Sequence, residues 1–199
     1  MPFADYLVTA NPDQKIAIIK YARGGSSIAN NASRFGNWSV GFSDGNAINQ
    51  YDNFLTTVKN ALAVSDIDGD GSPDTLVPKG IIWMQGEADA CLDWAANDYY
   101  HNLTELMGLI RAAFHKDDIP VVLGQIADSG GDPKDGKMMD FIEIVHQAQQ
   151  NFAKQDKAAT LVNNPLSYQF LKDNWHYKSE NYIDLGQAFA KAILKLNQD

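Results

Sequence analysis

The chain has 199 residues, 45% of them hydrophobic and 21% charged, enough for the core of one domain and too apolar for disorder. Its 16 basic residues face 25 acidic ones, a formal net charge of -9, which argues against a nucleic-acid backbone as partner because phosphate contacts need clustered Lys and Arg. The single cysteine, Cys91, excludes an intramolecular disulfide and a cysteine-based zinc site, and reads as a small core residue. No apolar run approaches the roughly 18 residues of a membrane span. Residues 1–5 have neither the basic start nor the apolar centre of a signal peptide.

Along the chain, strand-like and helix-like patterns alternate. Residues 15–21 form a short β-branched apolar run after Asn11-Pro12-Asp13 and read as a buried strand. Residues 46–64 carry Ile48, Tyr51, Phe54, Leu55, Val58 and Leu62 near helical spacing. Residues 80–85 are the next buried strand. Residues 93–115 predict a long helix presenting Tyr100, Leu103, Leu106, Met107, Ile110 and Phe114 on one face. A strand over 119–126, with Pro120 tolerated at its entry, precedes a helix over 137–154. A strand over 158–162 and a helix over 181–196, with Tyr182, Leu185, Phe189, Ile193 and Leu196 inward, complete the pattern. Strands separated by helices predict βαβ units, hence an α/β fold with a parallel sheet in a single domain over 1–199.

Chemistry in such sheets gathers in loops beyond the carboxyl ends of the strands. Asp173-Asn-Trp-His176 places a carboxylate one turn before a histidine, where it can reach Nδ1, fix the tautomer and stabilise the cation of a general base. The same string also suits a helix-capping Asp and a surface His. Gln85-Gly-Glu87 ends a strand in polar groups: Gln85 can donate to an oxyanion and Glu87 can orient a neighbour, or the segment is an ordinary strand-to-helix turn. Gly24-Gly25-Ser26-Ser27 offers backbone N–H groups for an oxyanion, or a turn with a serine N-cap. Trp83 reads as core. His101, His115 and His146 lack metal-ligand spacing and read as surface or edge residues.

These stretches carry a resemblance. Ile18-Ile-Lys-Tyr-Ala-Arg-Gly-Gly-Ser-Ser-Ile28, Ile81-Ile-Trp-Met-Gln-Gly-Glu-Ala-Asp-Ala90, and Asp173-Asn-Trp-His176 with Tyr182 and Leu185-Gly186 resemble the sialate O-acetylesterase and carbohydrate esterase family 6 branch of the SGNH hydrolases. The resemblance covers nearly the whole chain. It implies a flavodoxin-like three-layer αβα sandwich and a serine esterase that removes acetyl groups from sugars, either sialic acid or plant polysaccharide. Acetylated carbohydrate is the implied partner, and no cofactor is implied for catalysis. On matching positions His176 is the base and Asp173 its orienting acid. Gly25 (or Gly24) and Gln85 serve the oxyanion, Glu87 supports the site, and Trp38 lies in the cleft.

The chain departs from that family at the nucleophile. The family's serine sits in a Gly-Gln-Ser-Asn-like block after the first strand, and no such block occurs here. The serines stand instead in Gly25-Ser26-Ser27, Phe42-Ser43-Asp44-Gly45, Val64-Ser65-Asp66 and Asp128-Ser129-Gly130. Residues 3–8 read as the remnant of the family's first helix, so the first strand and nucleophile are expected to be missing. The strand over 15–21 then loses its partner or pairs directly with 80–85. Ser26 or Ser27 is the substitute nucleophile available in the Gly-rich loop. The competing functions are a non-catalytic sugar-binding or truncated fragment of such an esterase, and a glycosidase using Glu87 and Asp173 as its carboxyl pair.

One motif stands apart from catalysis. Asp66, Asp68, Asp70 and Asp74 occupy positions 1, 3, 5 and 9 of a calcium-type loop, with Gly71 at 6 and the Ser72 carbonyl at 7. Val77 replaces the usual bidentate Glu at position 12. The pattern predicts a structural calcium that stiffens the approach to the Trp83 strand; the alternative is an acidic surface turn. Such loops suit extracellular calcium, which favours an exported parent protein.

Overall fold

The computed structural model describes residues 1–39 and 49–198. Ser43 and the first residues of the helix expected over 46–64 lie outside them. Five α-helices and three strands are found among the described residues: α1 (Pro2–Ala10), α2 (Gln50–Leu62), β1 (Ile81–Trp83), α3 (Asp93–Ala113), β2 (Val121–Gly124), α4 (Ile142–Gln155), β3 (Ala159–Val162) and α5 (Ser179–Leu196). The sheet is parallel throughout, in the order β1-β2-β3, with Trp83 opposite Leu123 and Leu123 opposite Leu161.

The pleat of β2 sorts the core into two faces, because successive side chains point to opposite sides of a sheet. Val121 and Leu123 join Leu103, Leu106, Met107 and Val145 of α3 and α4 on one side. Val122 joins Leu7, Leu185, Phe189 and Ile193 of α1 and α5 on the other. All three β2 residues are fully buried, which is why this strand reads as a continuous apolar run rather than an alternating one. The result is the expected three-layer αβα arrangement.

Expectations change on contact with the structure in three stretches, and in α5 Tyr182, expected inward, is 46% exposed. Residues 15–21 are not a strand. They run without regular structure, and Lys15, Ala17, Ile18 and Lys20 are exposed. None of them makes a backbone–backbone hydrogen bond among the described residues. An apolar β-branched run becomes a strand only where a neighbouring ladder satisfies its N–H and C=O groups, and β1 pairs with β2 alone. Second, the buried tyrosine of α3 is Tyr99, while Tyr100 is 38% exposed. Tyr99 turns inward because its hydroxyl donates to the Gln85 carbonyl at 2.6 Å. Third, α4 begins at Ile142 rather than near 137, because the preceding backbone is held elsewhere. The Asp128 carboxylate accepts from the Met138 and Met139 N–H, and the Phe141 N–H donates to the Ala90 carbonyl.

No helix among the described residues is long and apolar enough to cross a membrane. Leu103 of α3 is fully buried in the core that Val121 and Leu123 share with α4. Leu103→Ala is expected to destabilise the fold by about 2–5 kcal/mol. Urea unfolding checks this as a lower midpoint at unchanged slope.

Candidate active site

The loop between β3 and α5 carries Asp173 and His176. Asp173 Oδ1 accepts the backbone N–H groups of Trp175 at 2.9 Å and His176 at 3.0 Å, the side-chain turn that Asp favours. Its other oxygen, Oδ2, lies 2.8 Å from His176 Nδ1. One carboxylate therefore shapes the turn and orients the imidazole. These backbone donors, and then the His176 ring, hold the Asp173 carboxyl down at about 2. With Nδ1 directed at the carboxylate, Nε2 is the nitrogen left to act as a base. The His176 side chain is 68% exposed, open to a substrate.

The surroundings of this turn are firm. Asn174 adopts a left-handed conformation, φ +63°, which Asn tolerates better than most residues. Gly131 packs so closely on it that a Cβ there would meet the Asn174 side chain at 2.3 Å. The Gly131 loop is itself fixed by Asp128, whose carboxylate also accepts from the Gly130 N–H. Beyond His176, the buried Tyr177 ring packs against Phe170, Tyr168 and Tyr182 at centroid distances of 4.9, 5.3 and 5.7 Å. The exposed histidine thus stands on an aromatic root.

Gln85, Gly86 and Glu87 follow β1. Gly86 has φ +147°, and a Cβ there would meet Val145, Ile126 and the Tyr99 hydroxyl at 3.0–3.3 Å. The Gln85 carbonyl accepts from Tyr99 Oη and from Gln149 Nε2. Its side-chain amide corrects the expectation of a free oxyanion donor. Nε2 donates to the Ser26 carbonyl at 3.1 Å and to Asp89 Oδ2 at 2.6 Å, so both hydrogens are engaged within the protein. Gln85 ties two loops together instead. Glu87 lies within electrostatic reach of His176. Burial pushes its carboxyl pKa up, while the backbone amides of Glu87 and Gly86 and the His176 ring draw it back.

In the loop after residues 15–21, Gly25 has φ +73°, and the Phe35 ring occupies the space that a Cβ would need, 2.7 Å away. The Gly24 and Gly25 N–H groups have no hydrogen-bond partner among the described residues, which leaves them available to an oxyanion. The neighbouring serines are not available in that way. Ser26 and Ser27 are buried. Ser26 Oγ donates to the Arg23 carbonyl and accepts from Trp38 Nε1, and Ser27 Oγ donates to the Ala29 carbonyl. No serine hydroxyl bonds to His176 among the described residues. Trp38, expected in the cleft, is core instead: it is 5% exposed and packs edge-on to Tyr21 and Trp83.

The structure thus brings Asp173, His176 and Glu87 together, and joins Gln85 to the Gly25–Ser26 loop. The acidic loop lies apart from them. Asp66, Asp68 and Asp74 each offer an oxygen, all within 4.8 Å of one another. Lys15 enters this group, with Nζ 2.6 Å from Asp68, 2.9 Å from Asp70 and 3.9 Å from Asp74. Sequence reasoning missed Lys15 because it lies far from the loop along the chain. It also passed over Asp89, although Asp89 stands inside the motif and four residues after Gln85, a spacing that lets one turn bring them together.

A family model described as carbohydrate esterase, sialic acid-specific acetylesterase, matches residues 1–195. A probable carbohydrate esterase of Arabidopsis thaliana is 26% identical over 117 residues, 58% of this chain and 40% of that protein. The chain therefore spans less than half the length of this curated relative. A solved Arabidopsis thaliana structure superposes with a TM-score of 0.69 at 21% identity, covering 97% of this chain and 66% of that one, a likeness of fold. A carbohydrate acetylesterase from Xanthomonas citri overlays 60% of this chain and 26% of its own, at 21% identity and a TM-score of 0.45. With the family model spanning nearly every residue, the chain belongs to the carbohydrate esterase family of sialic acid-specific acetylesterases.

Proposed function

We propose that this chain carries the acid–base half of a carbohydrate O-acetylesterase, acting on acetyl esters of sialic acid or plant polysaccharide. The observation that carries the reading is the Asp173–His176 pair, 2.8 Å apart, in a carbohydrate esterase chain. His176 Nε2 takes the proton of a hydroxyl as that hydroxyl attacks the acetyl carbonyl. Asp173 stabilises the imidazolium. The Gly24 and Gly25 amides receive the tetrahedral oxyanion, and Nε2 then delivers its proton to the departing sugar oxygen. Water repeats the cycle to release acetate. Glu87 adds negative charge beside the imidazolium. Ser26 and Ser27 are buried and committed to other partners, which speaks against either as the attacking serine. Asp173, bound to three donors at once, is poorly placed to act as half of a glycosidase pair.

Turnover of p-nitrophenyl acetate by the purified chain is expected to fall to background in His176→Ala. In Asp173→Asn it should fall by about 100-fold or more. It should be unchanged in Ser26→Ala and Ser27→Ala. Unchanged turnover in His176→Ala sinks the esterase reading, while loss in a serine variant returns the nucleophile to the Gly-rich loop. The pair also has a defined acid limit. Because the Asp173 carboxyl is depressed from 3.8 to about 2 in the folded chain, its contribution is complete above 3.8 and disappears as pH falls through about 2. The Trp175 and His176 amide signals in NMR are expected to move together as pH falls through about 2, where the carboxylate that they donate to is protonated.

We propose further that Asp66, Asp68, Asp70, Ser72 and Asp74 hold a structural calcium ion. The converging carboxylates support this reading, as does their recruitment of the Lys15 ammonium, a cation that relieves the same repulsion. Calcium chloride should raise the melting temperature and a chelator should reverse the gain. Lys15→Ala should enlarge the response by removing the competing cation. An unchanged melting temperature in both proteins would leave Lys15 as the loop's counterion and reject the metal.

A further inference from the structure

We propose that Asp89 is the positioning residue of this site, a buried carboxylate that clamps the Gly-rich loop onto the Gln85–Glu87 turn. The proposal rests on the esterase reading for its consequence, but its geometry is independent of that reading. Asp89 is fully buried. Its Oδ2 accepts the Ile28 N–H at 2.9 Å and Gln85 Nε2 at 2.6 Å, and its Oδ1 accepts the Ala29 N–H at 2.9 Å. Gln85 Nε2 donates in addition to the Ser26 carbonyl. The two loops are about 60 residues apart in sequence, yet one carboxylate and one amide bind three of the four residues that follow Gly25.

The residue type follows from the donors. Three N–H groups converge on two oxygens, and only an ionised carboxylate offers acceptors on every side without a hydrogen of its own. Asparagine would turn an NH₂ toward at least one N–H and leave a buried donor unsatisfied. No cation pairs with Asp89 among the described residues, so these hydrogen bonds alone stabilise its charge. A buried unpaired charge is a costly way to join two loops. Here it sits two residues from Glu87, and the loop that it holds presents the free Gly24 and Gly25 amides. The clamp sets where those amides stand relative to Glu87, and so relative to His176. Asp89 acts through them and does not itself meet the substrate.

Amide hydrogen exchange, followed by NMR on the full chain, tests this. In Asp89→Asn, exchange at Ile28 and Ala29 should accelerate by about 10- to 100-fold, the loss of a charge-assisted hydrogen bond. The β2 amides should stay as protected as in the wild type. Asp89→Glu keeps the carboxylate and should recover part of the protection. Sodium acetate is the probe of the loop itself: it should shift the Gly24 and Gly25 amides in the wild type and do so more weakly in Asp89→Asn. Unchanged exchange at Ile28 and Ala29 overturns the positioning role alone. Silence of Gly24 and Gly25 towards acetate in the wild type overturns it together with the esterase reading. If Asp89→Asn does not fold, Asp89→Glu decides by the same measurement. Collapse of both variants makes Asp89 a core folding residue and overturns the proposal.

Discussion

The chain leaving β1 must turn inside packed core, between α3 and α4, without stranding its own polar groups. Gly86 makes the turn possible, because Val145, Ile126 and Tyr99 stand where any side chain would begin. The carbonyl just before it, that of Gln85, is out of reach of water and takes two donors, Tyr99 Oη and Gln149 Nε2, one from each flanking helix. Burial raises the Tyr99 phenol far above its usual range, so the hydroxyl remains a donor at any physiological pH. α3 and α4 are therefore fixed to the turn by polar bonds as well as by packing. Glu87 and Asp89 inherit their positions from this arrangement.

The histidine turn obeys a different logic. It is exposed, so burial cannot hold it. Local hydrogen bonds to Asp173 and the left-handed Asn174 give it shape, and the Gly131 contact and Tyr177 cluster hold it in place. This combination of an open ring on a closed root is what the proposed role of base requires. The Phe170–Tyr177 bridge, with the Leu171 N–H donating to the His176 carbonyl, closes the loop behind the ring.

Legibility in the sequence followed the range of the forces involved. β2 was readable because burial on both faces leaves an apolar run, Val121-Val-Leu123, and β1 and β3 were readable from similar runs although Ile82 is exposed and the middle of β3 is half-buried. Residues 15–21 carry a similar pattern and are not a strand, because pairing is a property of the neighbour as much as of the segment. The Asp173–His176 contact was readable from a three-residue spacing, since one turn suffices to close it. The engagement of Gln85 was not, because its partner carbonyl on Ser26 lies 59 residues away. Tyr99 and Tyr100 are equivalent to any apolar pattern. What separates them is one hydroxyl bond to a carbonyl on another element. Trp38 likewise became core through Tyr21, Phe54 and Trp83, contacts that no local window contains.

Three carboxylates near the site occupy three environments, and the differences assign their parts. Asp173 is exposed and rich in local donors, which hold it ionised well into acid and suit it to stabilise a cation next to it. Asp89 is buried and raised by that burial, but three donors oppose the shift, so its negative charge serves to fix backbone. Glu87 lies between these cases. It feels burial first, has only its own and Gly86's backbone amides in support, and responds to Asp89 and His176 in opposite directions. Its charge is therefore the least supported of the three. The two carboxylates rich in donors hold backbone in place, and the third has the fewest donors.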